Sequence, residues 1–154
     1  MTFGQATAAL QRFFLERQVS GPAAHQIHYR PDAFRTYFRE YFPSQALQDS
    51  CGVYLILDMD DRVLYIGKAA AHNLFVETYA KFNTPSRAAP LFPHHCWVDR
   101  KIDESVRTLI ETGEVRLAFI TVDSGAVATE LERYLHKLAV AADGKLPPLN
   151  LRIG

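Results

Sequence analysis

The chain has 154 residues, 48% of them apolar and 22% charged, with lysine plus arginine equal to aspartate plus glutamate at 17 each. That composition excludes a disordered or fibrous chain and fits one compact unit that buries roughly two-thirds of its extended surface. The charge balance excludes a uniformly basic surface of the kind that drives non-specific nucleic-acid binding, and leaves room only for a local basic face.

No apolar run approaches the roughly 20 residues that span a bilayer. Met1 to Arg17 lacks the basic start and long apolar stretch of a signal peptide. The expectation is a cytoplasmic protein with no membrane contact. Cys51 and Cys96 belong to no CxxC pair, which predicts two free thiols rather than a disulfide framework or a zinc knuckle.

Residues 1–50 read as a helical N-terminal extension. Gln5 to Arg17 carries Leu10, Phe13, Phe14 and Arg17 at helical spacing, and Val19-Ser20-Gly21-Pro22 breaks the pattern. Pro31 suits a first helical position and opens a second predicted helix presenting Phe34, Phe38, Tyr41 and Phe42. Pro43-Ser44 ends it or forces a turn. Tyr29, Arg30, Arg35, Tyr37, Arg39 and Tyr41 interleave aromatics with cations, as nucleic-acid surfaces do. An amphipathic helix packing its aromatic face on the rest of the chain accounts for the same spacing.

The period changes after residue 50. Gly52 to Leu57 is a continuous apolar run, Asp58 to Arg62 a polar connector, and Val63 to Gly67 a second β-rich run. The three together predict an antiparallel hairpin whose strands are buried on both faces. His72 to Phe82 is a predicted helix and Thr84 to Pro93 a proline-rich loop. Asp99 to Thr112 is a helix with Gly113 as its stop. Val115 to Val122 is a third strand, and Ala126 to about Ala142 a last helix ahead of Pro147-Pro148. His94-His95, beside Cys96, read as loop histidines, because adjacent side chains point apart and no second ligand pair is visible. Residues 51–154 therefore form an α+β domain, a small three-stranded, mostly antiparallel sheet flanked by helices.

Gly52-Val53-Tyr54 and Tyr65-Ile66-Gly67 resemble the paired signature of the GIY-YIG nuclease superfamily, and Lys68-Ala69 resembles its excision-repair branch. Ala128 to Leu135, containing Glu132, resembles the family's last-helix motif. Asn150, after Pro147-Pro148, sits where the family tends to place an asparagine. The resemblance covers about residues 51–151. It implies a metal-dependent endonuclease that cleaves phosphodiester bonds in DNA with one divalent ion, magnesium or manganese, held by Glu132. Tyr54, Tyr65, Lys68 and Glu132 take the catalytic positions, and Gly67, Arg87 and Asn150 contact substrate. Both tyrosines are expected to open toward one cleft shared with Glu132, and a fold placing Glu132 on the opposite side of the sheet from Tyr65, with no shared cleft, would end the nuclease reading.

Gly67 is expected to let the chain leave its strand sharply. His136, one turn after Glu132, is either a second metal ligand or a surface histidine. The departure is Phe75, which stands where the family usually has a phosphate-clamping arginine; Tyr79, a turn later, does match. Lys68, Arg87 and Arg100 are the candidate substitutes, in that order. The missing arginine and the zero net charge suit an alternative, a catalytically degenerate domain of the same fold that binds nucleic acid or protein.

Overall fold

The longest apolar run becomes the most buried strand. The computed structural model describes residues 1–18, 24–28, 42, 44–82, 96–97 and 100–152, with 24–28 described by their backbone alone. Its strands are β1 (Ala24–His28), β2 (Cys51–Asp58), β3 (Val63–Ala69) and β4 (Val115–Val122). They form one antiparallel sheet in the order β1-β4-β2-β3. All eight residues of β2 are buried, because neighbours flank it on both edges and helices cover both faces. The three expected strands thus form the body of the sheet. β1 adds a fourth strand on the outer edge of β4, within the region read as helical. The sequence Ala-His-Gln-Ile-His carries too weak an apolar alternation to announce a strand, and its backbone pairing with β4 supplies the order.

The helices are α1 (Phe3–Arg17), α2 (Gln45–Gln48), α3 (Leu74–Phe82), α4 (Glu104–Thr112) and α5 (Gly125–Asp143). Thr2 and Gln5 close a capping box at the start of α1. Ser44, expected to end a helix, instead caps the start of α2 by accepting from the Leu47 N–H. Asp103 caps α4, and Gly113 ends it in the left-handed region at φ 77°, as its position predicts. The second predicted helix from Pro31, the loop carrying Arg87, and His94-His95 lie outside the described residues.

Alternation along the strands divides the core in two. Tyr54, Ile56 and Leu64 face one cluster with Leu117 and Phe119 of β4, Leu74 and Phe82 of α3, and Ile110 of α4. Val53, Leu55, Leu57 and Ile66 face the other, against Leu10 and Phe13 of α1 and Leu131 and Leu135 of α5. Helices therefore sandwich the sheet, α3 and α4 on one side, α1 and α5 on the other. Each fully buried leucine or phenylalanine here contributes roughly 1.5–3 kcal/mol, enough to hold the last helix against β2 and β3. Among the described residues no helix is long and apolar enough to cross a membrane.

Candidate active site

β3 is an edge strand, so its outer backbone groups need partners other than a neighbouring strand. The C-terminal segment provides them. Leu149 N–H donates to Leu64 O at 3.0 Å. The Asn150 side chain donates from Nδ2 to Ile66 O and accepts at Oδ1 from Ile66 N–H, both at 2.8 Å. One asparagine amide thus mimics the two-bond exchange of an adjacent strand. Asn150 therefore braces the strand that carries Tyr65, and it also lines the cleft and hydrogen-bonds His136.

A cleft of about 410 Å³ opens over this edge, and Tyr65, Glu132, His136, Lys81, Arg100 and Arg152 are among its walls. Tyr65 reaches it from the face of the sheet covered by α3. Glu132 and His136 reach it from α5 on the opposite face, and the three meet over the open edge rather than on one side of the sheet. The i,i+4 spacing puts Glu132 and His136 on one stripe of α5. Glu132 is buried, and its Oε2 accepts from Lys68 Nζ at 2.7 Å. Lys68 therefore holds the carboxylate in place from the opposite face of β3 to Tyr65 and does not serve as a cation beside that tyrosine.

Tyr54 departs from expectation. It lies on the strand next to Tyr65, with ring centroids 5.8 Å apart, but it is 1% exposed and does not line the cleft. Burial raises its hydroxyl pKa well above the usual 10. The charge of Tyr65, a hydrogen bond to Tyr65 that favours the protonated form, and the carboxylate of Glu77 add to the shift. Tyr54 is thus a neutral donor behind Tyr65 and not a base. Gly67 pairs with Tyr54 in the middle of β3, which runs on to Ala69, so it does not end the strand. Its role is room: a Cβ there would sit 2.4 Å from Tyr54 Cζ and 2.7 Å from Tyr65 Cε1.

His136 is buried and its pKa lies below the usual 6.5. Burial is the largest cause and Lys68 adds to it, against the opposing pull of Glu132, Asn150 and the Ile66 backbone. It is not the surface histidine that one of the two sequence readings made it. Phe75, where the arginine was expected, stacks on Tyr79 at 5.6 Å and meets Phe42 edge-on at 5.2 Å. That aromatic cluster packs on the core and supplies no charge to the cleft.

The cations in the cleft come from elsewhere. Lys81, in the last turn of α3, places Nζ 5.7 Å from the Tyr65 ring centroid. Arg100, third of the sequence candidates, lines the wall, as does Arg152. Lys81, Arg152 and Trp97, which meets Tyr65 edge-on at 5.3 Å, carry no motif and escaped sequence reasoning. Helical phase from Leu74 was the one signal that pointed to Lys81. Both free thiols are present as expected, Cys51 buried and Cys96 in the cleft wall. Burial pushes the Cys96 thiol up to about 11, against the lowering effect of Lys81 and Arg100.

Among the described residues no group of three or more histidine, cysteine, aspartate and glutamate side chains gathers to cage a metal. Glu132 offers one buried carboxylate, with His136 beside it at the same wall. Magnesium keeps most of its waters and uses one or two carboxylates, so this donor set fits such an ion and does not fit an all-protein cage. In comparisons with family models, curated proteins and solved structures, nothing matches the chain.

Proposed function

We propose that the protein is a metal-dependent endonuclease of GIY-YIG type that cleaves phosphodiester bonds in DNA. One observation carries the reading: Tyr65 and Glu132, far apart in sequence, line one cleft at the open edge of the sheet. The resemblance assigns catalytic work to those same two residues.

A divalent ion, when bound, supplies charge stabilisation at the phosphate and the leaving oxygen. Glu132 would hold it, and His136 stands on the same stripe of α5. The remaining work belongs to side chains of this chain. Lys68 fixes the rotamer of Glu132 through its 2.7 Å contact. Tyr65 presents its hydroxyl where an attacking water would be oriented, and the neutral Tyr54 donates to it from behind. Asn150 keeps β3, and so Tyr65, in register. Gly67 leaves both rings the room they need.

A plasmid-nicking assay with magnesium or manganese, with and without chelator, tests the proposal. The wild type is expected to nick only with metal, and Glu132→Ala to lose nicking without losing its fold. Nicking that survives both chelator and Glu132→Ala would refute it. The second reading, a binding module that has lost catalysis, draws on the aromatic packing of Phe75. It predicts DNA or protein binding with no cleavage under any metal.

A further inference from the structure

Five described side-chain cations are neutralised in ion pairs, while Arg12, Lys101, Lys137 and Lys145, dispersed over the surface, are in none. Arg17 meets Glu130, Arg62 meets Asp58, Lys68 meets Glu132, Arg107 meets Glu104 and Arg116 meets Asp61. Lys81, Arg100 and Arg152 line the cleft, and among the described residues none of the three has a carboxylate partner within ion-pair distance. Among the described residues that line the cleft, Glu132 is the one acidic side chain, and it already holds Lys68. The fields of Lys81 and Arg100 converge on the Cys96 thiol in the same wall. Among the described residues, the cleft lining thus carries three cations against one carboxylate.

We infer that Lys81, supported by Arg100 and Arg152, is the phosphate-binding cation of this cleft, taking a phosphate of a DNA strand laid across the edge of β3. The inference rests on the nuclease reading for its choice of DNA. Lys81 stands on the same helix as Phe75, further along it, so the charge missing from one end of α3 is supplied from the other. Its position over the Tyr65 ring brings the ammonium to the tyrosine that orients the attacking group. A lysine offers a point charge rather than a fork, so the site neutralises the phosphate without fixing its orientation. Arg100 and Arg152 can add the forked contacts, and the three together give the local basic face that net charge alone conceals.

The test measures duplex DNA affinity against salt, in chelator so that nothing is cut. Lys81→Met keeps most of the stem that packs near Tyr65 and removes the charge; Lys81→Arg restores it. Each lost phosphate contact lowers the slope of log affinity on log salt by about 0.9 for duplex DNA. A fourfold rise in salt should therefore cost Lys81→Met about 3.5-fold less affinity than it costs the wild type. Lys81→Arg should behave as wild type, and Lys145→Ala, on another face, should change nothing. A parallel nicking assay separates the two ideas. If the wild type nicks DNA and Lys81→Met keeps both its slope and its rate, the inference fails and the nuclease reading stands. If Lys81→Met flattens the slope but no protein nicks under any metal, the inference stands and the nuclease reading fails. If wild-type binding does not depend on salt, the inference is overturned whatever the nicking result.

Discussion

Replacing Gly67 by alanine pits two effects of known size against each other. A strand glycine carries extra backbone entropy in the unfolded chain, so alanine gains about 0.5–1 kcal/mol where its Cβ meets open space. At Gly67 it meets no open space: Tyr54 Cζ lies 2.4 Å, Tyr54 Oη 2.6 Å and Tyr65 Cε1 2.7 Å from the new carbon. Ordinary carbon contacts are about 3.5–4 Å, so both rings must retreat by about 1 Å. Neither can do so freely. Tyr54 is 1% exposed, and Tyr65 is backed by the edge contact with Trp97. Overpacking of this kind costs about 1–3 kcal/mol, and two trapped rings place it at the upper end. The net expectation is a loss of about 2 kcal/mol, or roughly 4–8 °C in Tm for a chain of this length. Urea unfolding at constant m reads it directly. The same substitution in a Tyr54→Leu background should cost half as much or less, because the closest clash is gone. A Gly67→Ala midpoint within about 0.5 kcal/mol of wild type, or equal costs in both backgrounds, would refute the steric account.

Two further outcomes follow from the α5 stripe. Glu132→Ala strands the Lys68 ammonium, whose side chain is 29% exposed. The cost falls between the 0.2–1 kcal/mol of exposed pairs and the 3–5 of fully buried ones, about 2 kcal/mol, and calorimetric titration should show manganese binding lost. His136 titrates below 6.5 in the folded state, so the unfolded state binds its proton first. Its contribution is therefore complete above pH 6.5 and shrinks as pH falls from there toward the folded pKa. Melts of His136→Gln should lose that part of the decline, and an unchanged wild-type-minus-variant difference from pH 7.5 to 5 would count against the burial of the ring.

The strands from residue 51 onward were readable because each is a dense apolar run with a clear boundary, and β4 begins and ends where its residues predict. The last helix was readable for the same reason, since its stripe of Leu131, Leu135 and Ala139 is long and regular. β1 was not, because an edge strand held by backbone pairing needs little from its side chains. At the site, short motifs marked Tyr65 and Glu132, which line one cleft, and Lys68, which does not line it but meets Glu132 in an ion pair. Motifs say nothing of the route a terminal segment takes, so the docking of Leu149 and Asn150 on β3 was legible only as a position, not as two hydrogen bonds to Ile66. Lys81 was hidden because one lysine in the last turn of a helix looks like a favourable helix-end charge. Its place over the Tyr65 ring emerges only from the fold.

The two tyrosines look equivalent in sequence and are not equivalent in the fold, which allows their roles to be separated. Tyr65 lines the cleft, and on the proposed nuclease reading its hydroxyl is the group that orients the attacking water. Positioned acid–base groups contribute about 10²–10⁴-fold, and Tyr65→Phe should slow nicking by at least about a hundredfold on that scale. Tyr54→Phe removes a buried donor that does not line the cleft. Its loss should cost less than about tenfold in rate, and near the 0.5–1.5 kcal/mol typical of one intramolecular hydrogen bond in stability. Alkaline pH supplies a readout that rate alone lacks. The folded pKa of Tyr54 is raised, chiefly by burial, so its stabilising contribution is complete below the unfolded value of about 10 and fades as pH climbs above it. Melts between pH 9 and 11 should show the wild type losing stability that Tyr54→Phe keeps, while Tyr65→Phe retains the Tyr54 part of that loss. If Tyr54→Phe were the variant that abolished nicking and Tyr65→Phe cut normally, the proton-handling role would belong to the buried ring, and the cleft at the edge of β3 would not be where DNA is cut.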